Sequence, residues 1–131
     1  MTTQGQVDSA AFLADYVRVE GVNGNAIVVY IANSMKPPMV ALQLTRDATT
    51  GAFPTGPVAS NQATLYDPNR VGTATLNVGS VVDPYDASGA PLTNADGGNL
   101  GSIQATFTAD FAGASITGSF SSPVCDTIEN I

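Results

Sequence analysis

Histidine and tryptophan are absent from the 131 residues, and cysteine and lysine occur once each, as Cys125 and Lys36. Without histidine, a seryl or cysteinyl nucleophile has no ordinary general base, and zinc sites of the nitrogen and sulfur kind are excluded. No catalytic residue is assigned, and the chain reads as a non-enzyme. The cations number four in all (Arg18, Lys36, Arg46, Arg70). Four cannot build a phosphate-tracking stripe, which rules out nucleic acid as a partner. Long apolar runs are also missing. The longest, Ala26 to Ala32, has the length of a strand and falls far short of the ~20 residues of a membrane helix. Charge is scarce overall, at 11% of residues against about 25% in an average protein.

What charge there is leans acidic, with a net charge of −7. Hydrophobic residues make up 44%, enough for one buried core, and the length suits a single domain. Surface polarity must then come from Thr, Ser, Asn and Gln. Thr suits a half-buried pleated surface, and a Thr- and Ser-decorated, Lys-poor surface is common among extracellular β proteins. Lysine is also the usual guard of exposed sheet edges. With Lys36 alone, the edges need bulges, prolines or loops, or they exist to pair. The opening MTTQGQVDSA lacks the basic and apolar regions of a signal peptide. Either the chain is made as a cytoplasmic particle component, or Met1 precedes a mature exported chain. Composition favours the second.

Period-two alternation dominates the rest. Asp15–Glu20 places Tyr16, Arg18 and Glu20 on one face and Val17 and Val19 on the other. Asn23-Gly24 is a hairpin signal, because both residues tolerate positive φ. Ala26–Asn33 is apolar on both faces, so it should be central and covered twice, or touch a partner. Pro37-Pro38 should end that region, since proline cannot donate to a ladder. Further strands follow at Met39–Thr45, Gln62–Tyr66, Gly72–Asp83, Leu100–Phe111 and Ala114–Ser121, with Gly79 marking a bulge. Pro54 and Pro57 should keep their segment irregular. Asp8 and Ser9 can cap a helical turn over Ala10–Ala14; the alternative is an extended arm that docks through Phe12 and Leu13. Seven strands with frequent turns predict a single antiparallel all-β sandwich over residues 15–125, with an N-terminal arm (1–14) and a C-terminal tail (126–131).

Four features carry candidate chemistry. The loop 83–99 holds Asp83, Asp86, Asn94 and Asp96, the one cluster of oxygen ligands of the kind calcium uses, though without the spacing of a calcium hand. Its plain alternative is a turn-rich loop in which Asp and Asn serve the backbone. Tyr16, Tyr30, Tyr66 and Tyr85 offer amphipathic rings for a binding face, or each covers the core. The arm, tipped by Phe12 and Leu13, suits strand addition to a neighbour's edge, with Tyr30 and Cys125 as further contacts, or it folds back on its own domain. Cys125 is either a small buried side chain or the site of an intermolecular bridge.

Three stretches, FLADYVRVEGVNGNAIVVYIAN, GTATLNVGSV and ATFTADFAGASITGSFSSPVC, carry a resemblance. The last ends in a G-x-F-x-x-P-x-C pattern at Gly118, Phe120, Pro123 and Cys125. Together they resemble small exported β-sandwich domains of deltaproteobacterial lipoprotein-like proteins, whose activity is unknown. Those domains usually have more cysteines and a lipid-bearing N-terminal cysteine, so neither disulfides nor an anchor carries over. The expected function is a non-catalytic extracellular or cell-surface structural subunit that self-associates into an oligomer or polymer. The alternative is a monomeric exported binding domain that uses loop 83–99 for a glycan, a protein or calcium. A particle or capsid decoration protein is the third.

Overall fold

The computed structural model describes residues 1–22, 24–33, 36–60, 63–66, 69–93 and 101–124, with the backbone alone at 36 and 37. Ten strands form: β1 (Thr2–Val7), β2 (Ala10–Ala11), β3 (Tyr16–Val22), β4 (Ala26–Asn33), β5 (Lys36–Thr45), β6 (Gly56–Ala59), β7 (Ala63–Tyr66), β8 (Arg70–Val82), β9 (Ser102–Phe111) and β10 (Ala114–Pro123). No helix forms among the described residues, and none is long and apolar enough to cross a membrane. Every pairing is antiparallel, in the order β2-β1-β10-β9-β8-β7-β5-β4-β3, with β6 added on β8. The architecture is therefore one continuous curled sheet, a half-barrel, where seven strands in a two-leaf sandwich were expected.

The curl follows from β8. Its first residues, Arg70 to Gly72, pair with β7, and from Thr73 onward it pairs with β9. A strand that serves both halves must turn a corner between them. Gly72 stands there, and a Cβ on it would lie 2.1 Å from the Asp110 carbonyl oxygen and 2.5 Å from the Phe111 ring. Only glycine allows that approach. The curl brings the inner faces of both halves into one core. Val29, Ile31, Leu42, Leu44 and Leu65 from one half join Leu76, Ile103, Phe107, Ile116 and Phe120 from the other. The Phe107 and Phe120 rings pack tilted, with centroids 6.3 Å apart.

Several boundaries correct the sequence reading. Asp8 and Ser9 do not cap a helix. Both take positive φ (51° and 70°) and form the two-residue turn that pairs Val7 with Ala10. Pro37-Pro38 lies inside β5, near its start, where a missing donor is tolerated. Pro57 likewise sits in the four-residue β6. β4 is second from the sheet edge: Ile27, Val29 and Ile31 are fully buried, while Val28 and Tyr30 on its outer side are half-buried. The bulge expected at Gly79 is present as a register shift between Val78 and Ser80. Gly24 holds φ +77° between β3 and β4, and the Asn25 N–H closes the turn on the Val22 carbonyl.

Candidate functional site

Two places bring candidate residues together. The first is the N-terminal edge. β1 lies along β10 over its whole length, from Thr2 opposite Ser119 to Val7 opposite Ala114. Phe12 is buried in the chain's own core at 3% exposure, with its N–H bonded to the Gly5 carbonyl at 3.0 Å. Leu13 points away from that core and is 65% exposed. The arm is thus part of the sheet. Its turn is clasped by Arg70, whose guanidinium binds the Asp8 carboxylate through two contacts and donates to the Ala112 carbonyl at 2.9 Å. The Asp8 N–H in turn donates to the Gly113 carbonyl at 2.8 Å. One arginine so ties the β1–β2 turn to the β9–β10 turn and the start of β8. Its hydrogen bond holds the Asp8 carboxyl below its ordinary pKa.

Among the described residues the outer side of β1 is lined by two-residue β2 and by Phe12 and Ala14 beyond it, whose N–H groups donate to the Gly5 carbonyl and the Thr3 hydroxyl. Under β1, β10 runs from Ala114 to Ser122 with neither Lys nor Pro. An edge of that kind would be an open pairing template if β1 left it.

The second place is the foot of loop 83–99. The Asp83 carboxylate takes a two-point contact from Arg46, one arm at 2.9 Å, and also accepts the Tyr85 N–H at 2.9 Å. Arg46 continues to the Gly24 carbonyl at 2.8 Å and the Gly51 carbonyl at 3.1 Å, and its guanidinium stacks on Phe53 at 4.3 Å. Burial pushes the Asp83 carboxyl up, but the Arg46 bonds and the Tyr85 N–H outweigh it, and the net shift is down. Asp86 accepts from the Ser88 hydroxyl and from the N–H groups of Ser88 and Ala90, so it organises its own turn, and these bonds lower its pKa. An open cleft of about 470 Å³ lies over these groups. Buried Tyr85 contributes a hydroxyl that makes no full hydrogen bond among the described residues; burial raises its pKa, and the nearby Gly24 backbone offsets only part of that.

The arrangement is a staple that joins three loops. Asp83 already neutralises a cation, and the adjacent Arg46 charge repels a second one. No three His, Cys, Asp or Glu side chains converge among the described residues. Asn94, Asp96 and Cys125 lie outside the described residues. Arg46 was not singled out in the sequence. Nothing local marks it, because its partner Asp83 is a loop away.

Tyr16, Tyr30 and Tyr66 do share one surface, the outer face of β3, β4, β5 and β7, while Tyr85 lies apart in the Arg46 cluster. Compared with known protein families, curated proteins and solved structures, the chain matches none.

Proposed function

We propose that this chain is a non-catalytic structural subunit, working outside the cell or at its surface, that self-associates by exchanging strand β1 between copies. The observation that carries the reading is the junction behind β1: a two-residue turn whose Asp8 and Ser9 are both left-handed without being glycine. Left-handed backbone costs a non-glycine residue roughly 1–2 kcal/mol. Opening the turn releases that strain. The bonds of β1 to β10 are made equally well in a second copy, so they cancel between the closed and exchanged forms. Strained short hinges favour this kind of swap. Reciprocal exchange gives a dimer, and head-to-tail exchange gives a filament. The scarcity of lysine at the edges and the Thr- and Ser-rich surface agree with an exported assembly subunit.

Gln4 lies opposite Thr117 in the β1–β10 register. Two chains test the proposal, one carrying Gln4→Cys and the other Thr117→Cys, both in a Cys125→Ser background. Mixed and mildly oxidised, they should yield a disulfide-linked pair, with light scattering reporting dimers or polymers. If the mixture yields no such pair while the double variant in one chain closes readily, strand exchange is wrong.

A further inference from the structure

The turn that holds β1 down is fastened through one exposed carboxylate. The Asp8 side chain is 60% exposed, whereas that of Arg70, which grips both its oxygens, is 14% exposed. Arg70 reaches it from the start of β8 and keeps a separate hold on the Ala112 carbonyl. The β9–β10 turn closes against the same clasp. A Cβ on Gly113, which has φ +78°, would lie 2.8 Å from Asp8 Oδ1 and 3.3 Å from an Arg70 nitrogen. Asp8 is also one of the two left-handed residues at which β1 would open. The contact that resists opening and the strain that favours it thus meet on one residue.

A two-point guanidinium–carboxylate contact draws its strength from charge. On protonation the carboxyl loses that charge, and one of its oxygens becomes a donor facing the donors of Arg70. Solvent reaches the carboxylate directly, so a proton arrives without unfolding the sheet. The rest of the seat does not titrate. The Asp8 N–H bond to the Gly113 carbonyl is indifferent to the proton, and the paired residues of β1 and β10 carry no ionisable side chain. Among the strands and turns packed against the clasp, the charged side chains are Arg70 of β8 and Asp110 of β9. Asp110 stands on the outer face and accepts from the Ser115 hydroxyl at 3.0 Å.

We propose that the Asp8–Arg70 clasp is an acid-released latch on β1: protonating Asp8 frees the turn and speeds the exchange of β1 between copies. The inference rests on the strand-exchange reading and adds its regulation. The clasp must break on the way from the closed to the exchanged form, so it sets the rate whatever contacts form afterwards. The Arg70 hydrogen bond holds the Asp8 carboxyl below its ordinary value of 3.8. The latch therefore holds above pH ~4 and fails as pH falls through the lower folded value.

The test uses the two single-cysteine chains, Gln4→Cys and Thr117→Cys, both with Cys125→Ser. They are mixed without oxidant, held at a chosen pH, returned to neutral pH and oxidised briefly, so that the linked pair counts the strands exchanged during the hold. Exchange should be roughly fivefold faster at about pH 3 than at about pH 6. Asparagine accepts left-handed backbone as aspartate does, so Asp8→Asn removes the charge and keeps the hinge. In both chains it should give the fast rate at neutral pH and a flat profile, whereas Asp83→Asn and Asp110→Asn should keep the wild-type profile. A rate independent of pH, or a profile that survives Asp8→Asn, overturns the latch and leaves strand exchange standing. No linked pair at any pH, in any variant, overturns strand exchange and its regulation together. Amide hydrogen exchange over residues 2–7 reads the latch within one chain: at neutral pH Asp8→Asn should open β1 faster than the wild type, and equal protection there overturns the latch.

Discussion

Gly118→Ala is the smallest change that tests how β1 is seated. Gly118 lies on the inner face of β10, opposite Phe107 of β9 and Thr3 of β1. A Cβ there would stand 2.5 Å from the Thr2 carbonyl oxygen and 2.8 Å from Cε1 of the Phe107 ring. Neither can yield cheaply. The oxygen belongs to the backbone of β1, and the ring is buried against Phe120. Overpacking of this kind costs roughly 1–3 kcal/mol. Alanine recovers about 0.5–1 kcal/mol over glycine in a strand, so the net loss is about 1–2 kcal/mol. For a domain of this size that is a drop of roughly 3–8 °C in melting temperature. Urea unfolding should show a lower midpoint with an unchanged slope.

The clash has two parts, which a double-mutant cycle separates. Phe107→Leu removes the ring atoms and leaves the Thr2 oxygen in place. Gly118→Ala should therefore cost less in the Phe107→Leu background than alone, and the residual belongs to β1. That residual should appear as faster proteolysis at residues 8–15. A Gly118→Ala protein as stable as the wild type, with an unaltered arm, would show that neither close approach is real and would refute the packing argument.

Three further outcomes follow from the same geometry. Ser9→Gly should raise stability by about 0.5 kcal/mol, the left-handed strain relieved less the added freedom of the unfolded chain; the same variant should slow strand exchange in the mixed-cysteine experiment. Tyr85→Phe removes a buried hydroxyl that makes no full hydrogen bond among the described residues, with only the Gly24 backbone close enough to bear on it, so it should be neutral or stabilising by up to about 1 kcal/mol in urea unfolding, whereas a loss of that size would mean that the Gly24 contact is a working bond. Burial pushes the Asp83 carboxyl up, but the Arg46 bonds outweigh it and hold the folded-state pKa below the ordinary carboxylate value of 3.8, so its contribution is present above pH ~4 and lost as pH falls through the lower folded value. The stability gap between wild type and Asp83→Asn should therefore be constant at neutral pH and close only in that acid range.

Most of the strands were legible because alternation survives translation into a pleated sheet. Ile103 to Phe111 buries every second side chain, as its pattern reads. β3 follows its alternation less closely, because Val17 on the inner side is half-buried and Glu20 on the outer side is buried beside Arg18. What escaped was set by partners distant in sequence. Gly72 reads as an ordinary strand start, and only the approach of Asp110 and Phe111 makes it the corner. Asp8-Ser9 reads as a helix cap, because neither residue is a glycine or asparagine that would mark the left-handed turn joining β1 to β2. β6 escaped because proline was read as a veto, although Pro57 lies in a short strand added to β8 beside its main partners. Asp83 was found as an oxygen ligand, but its cation is Arg46, whose position 37 residues away carries no local signal.

The chain guards its edges without lysine, and the manner of guarding sets its assembly. β10 is shielded by β1, and β1 by two-residue β2 together with Phe12 and Ala14, so a short terminal segment takes the place of charge. That shield is the same segment that would join two copies, so protection and association compete for it. The ladder between β1 and β10 is common to both states, so the competition lies between the strain of the hinge and the contacts that opening it breaks, among them the pairing of β1 with β2 and the Phe12 bond to Gly5. Strain at Asp8 and Ser9 favours opening, while the Arg70 clasp on Asp8 and Ala112 favours closure. Arg70→Met removes the clasp and leaves the strain, so the mixed-cysteine pair should form faster than in the wild type. Added to Ser9→Gly, the same change should give an intermediate rate. If Arg70→Met leaves exchange as slow as before, the clasp does not control the hinge, and β1 would have to leave together with β2 by opening at residues 12–15.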